Sequence, residues 1–308
     1  MRKIFLTCSL VALFALGAFA QGQQSPTLRV VTEDPTLPSE LFYGNVKVKP
    51  VRLRPGTNTR ITIDDSDFFV QQQYIDFLSR FPDQQGFNDW MSALNSCSGD
   101  PACLDGPNGK RVQVSRNFFL STEFQIKGYY AFRFYKASFG RLPSYDEMIG
   151  DMRAVTGTTT AEVRQKKAAY ATSFASRGDF QAAYGSFSNA AYVAALMNRY
   201  NLSSISTIDP QNPDAGLQVT LTTADLTNQL NAGTLDRAKV LRAVVDSTQV
   251  QQTEFNSGFV GMQYYGYLRR APEPGGYNDW LTYLNSHPGD FNTMVYGFAY
   301  STEYRNRF

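Results

Sequence analysis

Residues 73–96 read QYIDFLSRFPDQQGFNDWMSALNS. Counting from Val70, the residues Tyr74, Phe77 and Leu78 fall at i+4, i+7 and i+8, one apolar stripe with the period of a helix. Pro82 interrupts it. Phe87, Trp90, Met91 and Leu94 then form a second stripe at i, i+3, i+4 and i+7. Two amphipathic helices joined by so short a link make a helix–turn–helix hairpin whose apolar faces need each other.

The same wording returns near the C-terminus. Residues 263–286 align without gaps on residues 73–96 at a constant offset of 190, with twelve of 24 positions identical. Tyr74, Arg80, Pro82, Gly86 and Trp90 thereby answer Tyr264, Arg270, Pro272, Gly276 and Trp280. The closing phrases also correspond: Ser121-Thr122-Glu123-Phe124 answers Ser301-Thr302-Glu303-Tyr304. Between them lies a fainter copy, in which Tyr135, Phe139, Arg141 and Pro143 match the first unit at an offset of 61. There Ser144 and Glu147 have the S-x-x-E spacing of a capping box, and a further helix carries Val163, Lys167, Tyr170 and Phe174. The most altered unit starts at Ala190, with Val193, Leu196, Met197 and Tyr200 as its stripe. After a loop around Pro210 and Pro213 come Leu226 and Leu230, Gly233 as a C-cap, and a last helix capped by Thr234 that runs through Leu241 and Val245. The expected class is all-α: tandem helical-hairpin repeats packed into one array or two paired lobes, units one and two over 67–188 and units three and four over 189–308.

Outward from the repeats, residues 21–66 are rich in Pro, Thr, Gln and Gly. They read as an extended leader with room for a short β-ribbon at Val46-Lys47-Val48 and Ile61-Thr62-Ile63, ending at Asp64-Asp65-Ser66-Asp67, natural helix N-caps. Residues 1–20 have the form of a signal peptide: Arg2 and Lys3, an apolar run, then Ala18-Phe19-Ala20 as the cleavage site before Gln21. Cys8 is expected to leave with it. The run is too short for a membrane span, and no other stretch approaches the roughly 18 apolar residues of one. The signal takes two of the 29 basic residues and none of the 27 acidic ones, so the mature chain is formally neutral and has no basic footprint for nucleic acid. The expected location is secreted: extracellular, periplasmic or at the cell surface.

The wording Tyr-x-x-x-Leu-x-Arg-x-Pro-Asp/Glu-x-x-Gly-x-x-x-Trp-x-x-x-Leu-Asn, closed by Ser-Thr-Glu-Phe/Tyr, resembles the repeat of the domain-of-unknown-function family four-two-one-four. Residues 231–237 and Val240-Leu241 look like its wording too. The resemblance implies an exported or surface protein of bacterial type, often beside adhesive or matrix modules, with a fold distantly similar to the helical domain of phycobilisome linkers. It implies no activity. The third unit departs from the pattern by lacking Arg-x-Pro, and the second has Asp151 where Trp90 and Trp280 stand.

Catalytic chemistry finds little support in the residues. Triads and zinc sites generally need histidine, and only His287 is present, at a position answered by Cys97 in the first unit. Phosphate-binding and nucleophile-elbow glycine patterns are absent. Glu123 and Glu303 are the candidates for a lysozyme-like carboxylate pair. Both sit in the same repeated phrase, which favours helix capping beside Ser121 and Ser301 or pairing with an arginine. The acidic turns 83–86 and 273–276 lack the ligand spacing of a calcium loop and read as caps for the second helix. Arg80, Arg141 and Arg270 each precede a proline by two residues, where a cation suits the carbonyl end of a helix. No cofactor or metal is expected.

After the signal is removed only Cys97 and Cys103 remain. They flank the start of a loop ten residues longer in the first unit than in the last, and an oxidising compartment favours their pairing. The expected function is a non-enzymatic, structural or adhesive module binding protein or extracellular polysaccharide, with exposed tyrosines as contacts. Its rival is a secreted helical glycan or cell-wall hydrolase using a repeated glutamate.

Overall fold

The computed structural model describes residues 27–31, 40–48, 52–157 and 159–308. The expected signal peptide, Cys8 and the cleavage point before Gln21 lie outside the described residues. The first hairpin forms as α1 (Ser66–Leu78) and α2 (Gln84–Asn95). A short α3 (Pro101–Leu104) and then α4 (Lys110–Leu120) follow, so the hairpin is only part of the unit. The second unit has α5 (Thr122–Phe139), α6 (Tyr145–Ala154) and α7 (Thr160–Ser176), with α8 (Gly178–Tyr184) leading out of it. The third has α9 (Asn189–Asn198), α10 (Thr223–Asn231) and α11 (Arg237–Val245). The fourth has α12 (Thr248–Thr253), α13 (Phe255–Gln263) running on through a wide π turn at Tyr264–Leu268, α14 (Pro274–Ser286), α15 (Phe291–Ala299) and α16 (Thr302–Arg305). The described residues are all-α apart from two small antiparallel sheets.

Three helix-to-helix junctions are serine turns. Ser121, Ser247 and Ser301 donate their hydroxyls to the carbonyls of Phe118, Val244 and Phe298 at 2.7, 2.7 and 2.8 Å. Each accepts from the amide three residues later, at 3.2, 3.4 and 3.1 Å. One hydroxyl thus closes a finished helix and caps the next. The second-unit helix α5 therefore begins in the first unit's closing phrase, one reason the repeat borders blur.

Three local expectations are corrected. The last helix of the third unit is capped by Asp236, which accepts from the Lys239 amide at 2.8 Å, and not by Thr234, whose hydroxyl turns back to the Gln229 carbonyl at 3.0 Å. The loop around Pro210 and Pro213 is the tip of a hairpin: β4 (Ser204–Ile208) and β5 (Gln218–Thr222) pair with Ile205 opposite Leu221. Asp65 stands at the N-cap of α1 without capping it; its carboxylate accepts from the Thr62 amide at 2.7 Å.

The leader is more than a ribbon. β1 (Leu28–Val31), β2 (Glu40–Tyr43) and β3 (Val46–Lys47) form a three-stranded antiparallel sheet. Farther on, Arg54 forks Asp65 and Asp67 at 2.8 and 2.7 Å, Arg52 lies 4.8 Å over the Phe68 ring, and Ile63 is buried. These contacts fasten the approach to α1 onto the helix itself.

The apolar core is one cluster that runs from Ile63 to Tyr304 without a break at residue 188. Its axis is α5, whose Phe124, Tyr129, Phe132, Phe134 and Tyr135 are buried around its circumference, with Lys127 and Arg133 buried among them. First and fourth units meet through corresponding parts. α4 packs on α15, its counterpart, and Phe77 meets its own counterpart Tyr267 edge-to-face at 4.9 Å. Ser115 of α4 hydrogen-bonds the Tyr267 hydroxyl. Most tyrosines are in this core, which leaves few as surface contacts; Tyr43 is the one among the described residues classed as exposed. Cys97 and Cys103 are joined, with Cα atoms 5.5 Å apart, where α2 passes into α3. Among the described residues no helix is long and apolar enough to cross a membrane.

Candidate functional site

Each repeated arginine is placed by the way its helix ends. Ser79 adopts the left-handed conformation (φ 51°), as does Arg269 (φ 52°), and the chain turns so that Arg80 and Arg270 face back across their own units. Arg80 donates to Glu123 through Nε at 3.0 Å and Nη2 at 2.9 Å, and to the Phe81 carbonyl at 3.0 Å. Its guanidinium lies 4.9 Å over the Tyr74 ring, which meets Phe118 edge-to-face at 4.8 Å; Trp90 stacks on Phe118 at 5.0 Å. In the last unit Arg270 donates to Glu303 at 2.7 and 3.2 Å and lies 5.2 Å over Tyr264, which meets Phe298 at 4.9 Å, with Trp280 6.0 Å from Phe298. Glycine is required where Tyr74 and Tyr264 end. A Cβ on Gly86 would stand 2.1 Å from the Tyr74 hydroxyl, and one on Gly276 would stand 2.4 Å from that of Tyr264. Both glycines lie inside a helix, so close approach, and not a turn or cap, is their reason.

The second unit builds the node from other parts. Arg141 forks Glu147 at 2.8 and 2.7 Å, donates to the Leu142 carbonyl at 3.0 Å and lies 5.1 Å over Tyr135. Glu147 closes the expected capping box with Ser144. Pro82, Pro143 and Pro272 each sit in the link beyond the arginine, where no helical amide is needed. At the tryptophan position, Asp151 accepts from Tyr135 at 2.6 Å, from Tyr170 at 2.8 Å and from both Arg177 terminal nitrogens at 2.9 and 2.5 Å.

Electrostatics follow from the pairing. Burial alone would raise the Glu123 carboxyl, but hydrogen bonds from Arg80 and from Lys127, the latter at 2.6 Å, hold it below its ordinary value. Glu147 is lowered chiefly by Arg141. Burial, then the Asp151 hydrogen bond, push the Tyr135 phenol far up. A general acid for glycoside cleavage needs a carboxyl raised toward neutrality, the opposite direction from that at Glu123. The acidic turns divide. Asp83 caps α2 by accepting from the Gly86 amide at 2.9 Å, whereas Glu273 makes no cap and bonds Arg270 and the Tyr264 hydroxyl. His287 is exposed and stacks on Tyr283 at 4.4 Å. Among the described residues no group of three or more His, Cys, Asp or Glu converges on a metal position.

Two open grooves are lined in part by α5. One of about 830 Å³ is lined by Arg80, Glu123, Lys127 and Thr159. The other, about 600 Å³, is lined by the amides of Gln125, Gln251, Gln252, Asn256 and Asn285 beside Phe255. Here Asn256 donates to Asn285 at 2.9 Å and Gln251 to the Asp246 carbonyl at 2.7 Å, leaving amide oxygens as acceptors. Neither the amide groove nor the Asp151 cluster stands out in the linear sequence. The groove residues come from four helices, and the one hint of the cluster is the missing tryptophan.

Residues 251–308, within the last unit, match the family described as Domain of unknown function (DUF4214). The first unit, the last unit's near copy, lies outside the matched residues. No curated protein and no solved structure matches the chain.

Proposed function

We propose, for a chain whose last unit matches this family, that it is an exported, non-enzymatic helical module, structural or adhesive, that binds a polysaccharide or protein surface. The observation that carries the reading is the fate of the repeated carboxylates. Glu123 and Glu303, the repeated pair, are forked by Arg80 and Arg270, and Glu147 by Arg141, so the carboxylates best placed for chemistry are taken up in structural ion pairs. The amide groove supports a polysaccharide partner in particular, because amide oxygens accept from sugar hydroxyls and the Phe255 ring offers an apolar face.

A glycan array probed with the chain from Gln21 onward tests this, with Asn256→Ala/Asn285→Ala beside it. Binding to an extracellular polysaccharide that the double variant loses supports the reading. Release of reducing ends by the wild type, abolished in Glu123→Gln or Glu303→Gln, establishes the hydrolase instead. Export is tested apart, by N-terminal sequencing of material from outside the cytoplasm: a start near Gln21 supports it, and a start at Met1 refutes it.

A further inference from the structure

The amide groove carries a cation at its floor, and that cation narrows the class of polysaccharide it suits. Arg133 of α5 lines the groove beside Gln251, Gln252, Asn256 and Asn285. Among the described residues that line it, none is a carboxylate. Its volume, about 600 Å³, lies within the roughly 300–1,000 Å³ of small-ligand clefts.

Arg133 is 5% exposed, so its charge sits where little water reaches it. Its Nε donates to the Val245 carbonyl at 2.9 Å. Among the described residues its terminal nitrogens make no hydrogen bond, and the nearest carboxylate, Asp246, lies 3.7 Å from Nη2. Asp246 does not neutralise it, because the same carboxylate faces Arg242 at 3.5 Å and Lys167 at 3.7 Å. Glu254, next in sequence to the groove's Phe255, is buried and turned to Lys136 at 3.8 Å, the Tyr200 hydroxyl at 3.1 Å and Ser257. Four cations thus share two carboxylates. Burial outweighs the pull of Asp246 and lowers the guanidinium below its ordinary value. A buried charge so weakly paired is costly until a counter-charge reaches it. The planar fork of a guanidinium matches a carboxylate above other anions of that size.

We propose that the groove takes an acidic polysaccharide, a uronic acid carboxylate docking on the terminal nitrogens of Arg133 while the surrounding amides bond the sugar hydroxyls. This rests on the reading of the groove as a polysaccharide site and adds the charge of the ligand to it. Neutral glycans then bind the same groove more weakly, through the amides and Phe255 alone.

Tetramers of galacturonate and of mannuronate, with their methyl esters as neutral counterparts, are titrated calorimetrically into the chain from Gln21 onward. At least one acid should bind saturably, and its ester roughly tenfold more weakly, the difference between a charged and a neutral acceptor. Arg133→Lys keeps the charge but loses the fork, and should weaken the acid more than its ester. Because Arg133 is buried, a second variant leaves it in place: Gln252→Glu puts a carboxylate on the exposed rim of the groove. It should erase most of the acid's advantage over the ester. Esters that bind as tightly as the acids overturn the proposal and leave the polysaccharide reading standing. No binding of either acid overturns it too, and a blank glycan array beside that result removes both. An acid preference unchanged by Gln252→Glu overturns the assignment to this groove.

Discussion

Arg80→Ala and Arg270→Ala remove the same side chain from the same repeated node, and the structure predicts unequal losses. Each breaks two charge-assisted hydrogen bonds to a glutamate and one stack on a tyrosine. A hydrogen bond to a charged group contributes about 1.5–3 kcal/mol when sheltered, while an exposed ion pair contributes about 0–1 kcal/mol. The Arg80 and Glu123 side chains are 30% and 31% exposed, whereas Arg270 and Glu303 are 39% and 48% exposed. Lys127 also keeps Glu123 partnered when Arg80 is gone, which moderates the loss. Arg80→Ala should therefore cost about 2–3 kcal/mol and Arg270→Ala about 1 kcal/mol. Arg80→Lys keeps the charge but loses the planar fork, and should cost about 1 kcal/mol. Urea unfolding with unchanged m-values measures all three. Equal losses at the two arginines, a larger one at Arg270, or full restoration by lysine would refute the sheltered-fork argument.

The remaining predictions concern glycine, the disulfide and pH. Gly86→Ala should destabilise by about 1–3 kcal/mol, because its methyl meets the Tyr74 hydroxyl. Gly275→Ala, with open space at that position, should gain about 0.5 kcal/mol; melting curves in which both glycines respond alike would contradict the close-approach reading. Cys97→Ala/Cys103→Ala should lose about 2 kcal/mol from so short a ring, and free thiols in non-reduced peptide maps would show that the bond does not form in the protein. Glu147 has a lowered carboxyl in the fold, so its contribution is complete above the ordinary carboxylate range and disappears as pH falls through the folded value. The melting-temperature gap between wild type and Glu147→Gln should thus be widest near neutrality and close toward pH ~3; a gap constant with pH speaks against the linkage.

Helix periodicity and the offset of 190 made the all-α class and the correspondence of first and last units legible. Both signals are local or survive duplication. What escaped was set by tertiary partners. The β4–β5 hairpin does carry a period of two, with Ile205 and Thr207 buried and Ser206 half-buried between them. Its Ser and Thr content next to Pro210 and Pro213 nevertheless reads equally as loop. Thr234 and Asp236 are both good caps by residue type, and only the direction of the chain after Leu235 decides between them. A tyrosine can serve as a core anchor or as a surface contact. Composition cannot choose, because a phenol buried on a carbonyl or carboxylate is as well satisfied as one in water. The pairing of Arg80 with Glu123 and of Arg270 with Glu303 was legible across 43 and 33 residues, because arginine and glutamate recur together in both units.

The second unit shows why its repeat is fainter than the others. In the first and last units the tyrosine hydroxyl lies against a glycine, and a tryptophan packs on the phenylalanine below. In the second unit the glycine position holds Glu147 and the tryptophan position holds Asp151. Glu147 takes over the arginine fork that Glu123 and Glu303 supply elsewhere, and the capping box with it. The Tyr135 hydroxyl bonds Asp151 instead, which also draws in Tyr170 and Arg177. Restoring only the tryptophan would leave two buried phenols and a guanidinium without their acceptor. Restoring only the glycine would take the fork from Arg141, whose remaining acidic neighbour is Asp179 at 3.9 Å. The two departures therefore form one exchange. The node keeps its work of tying an arginine to the end of a helix, with a network of polar contacts in place of a packed indole.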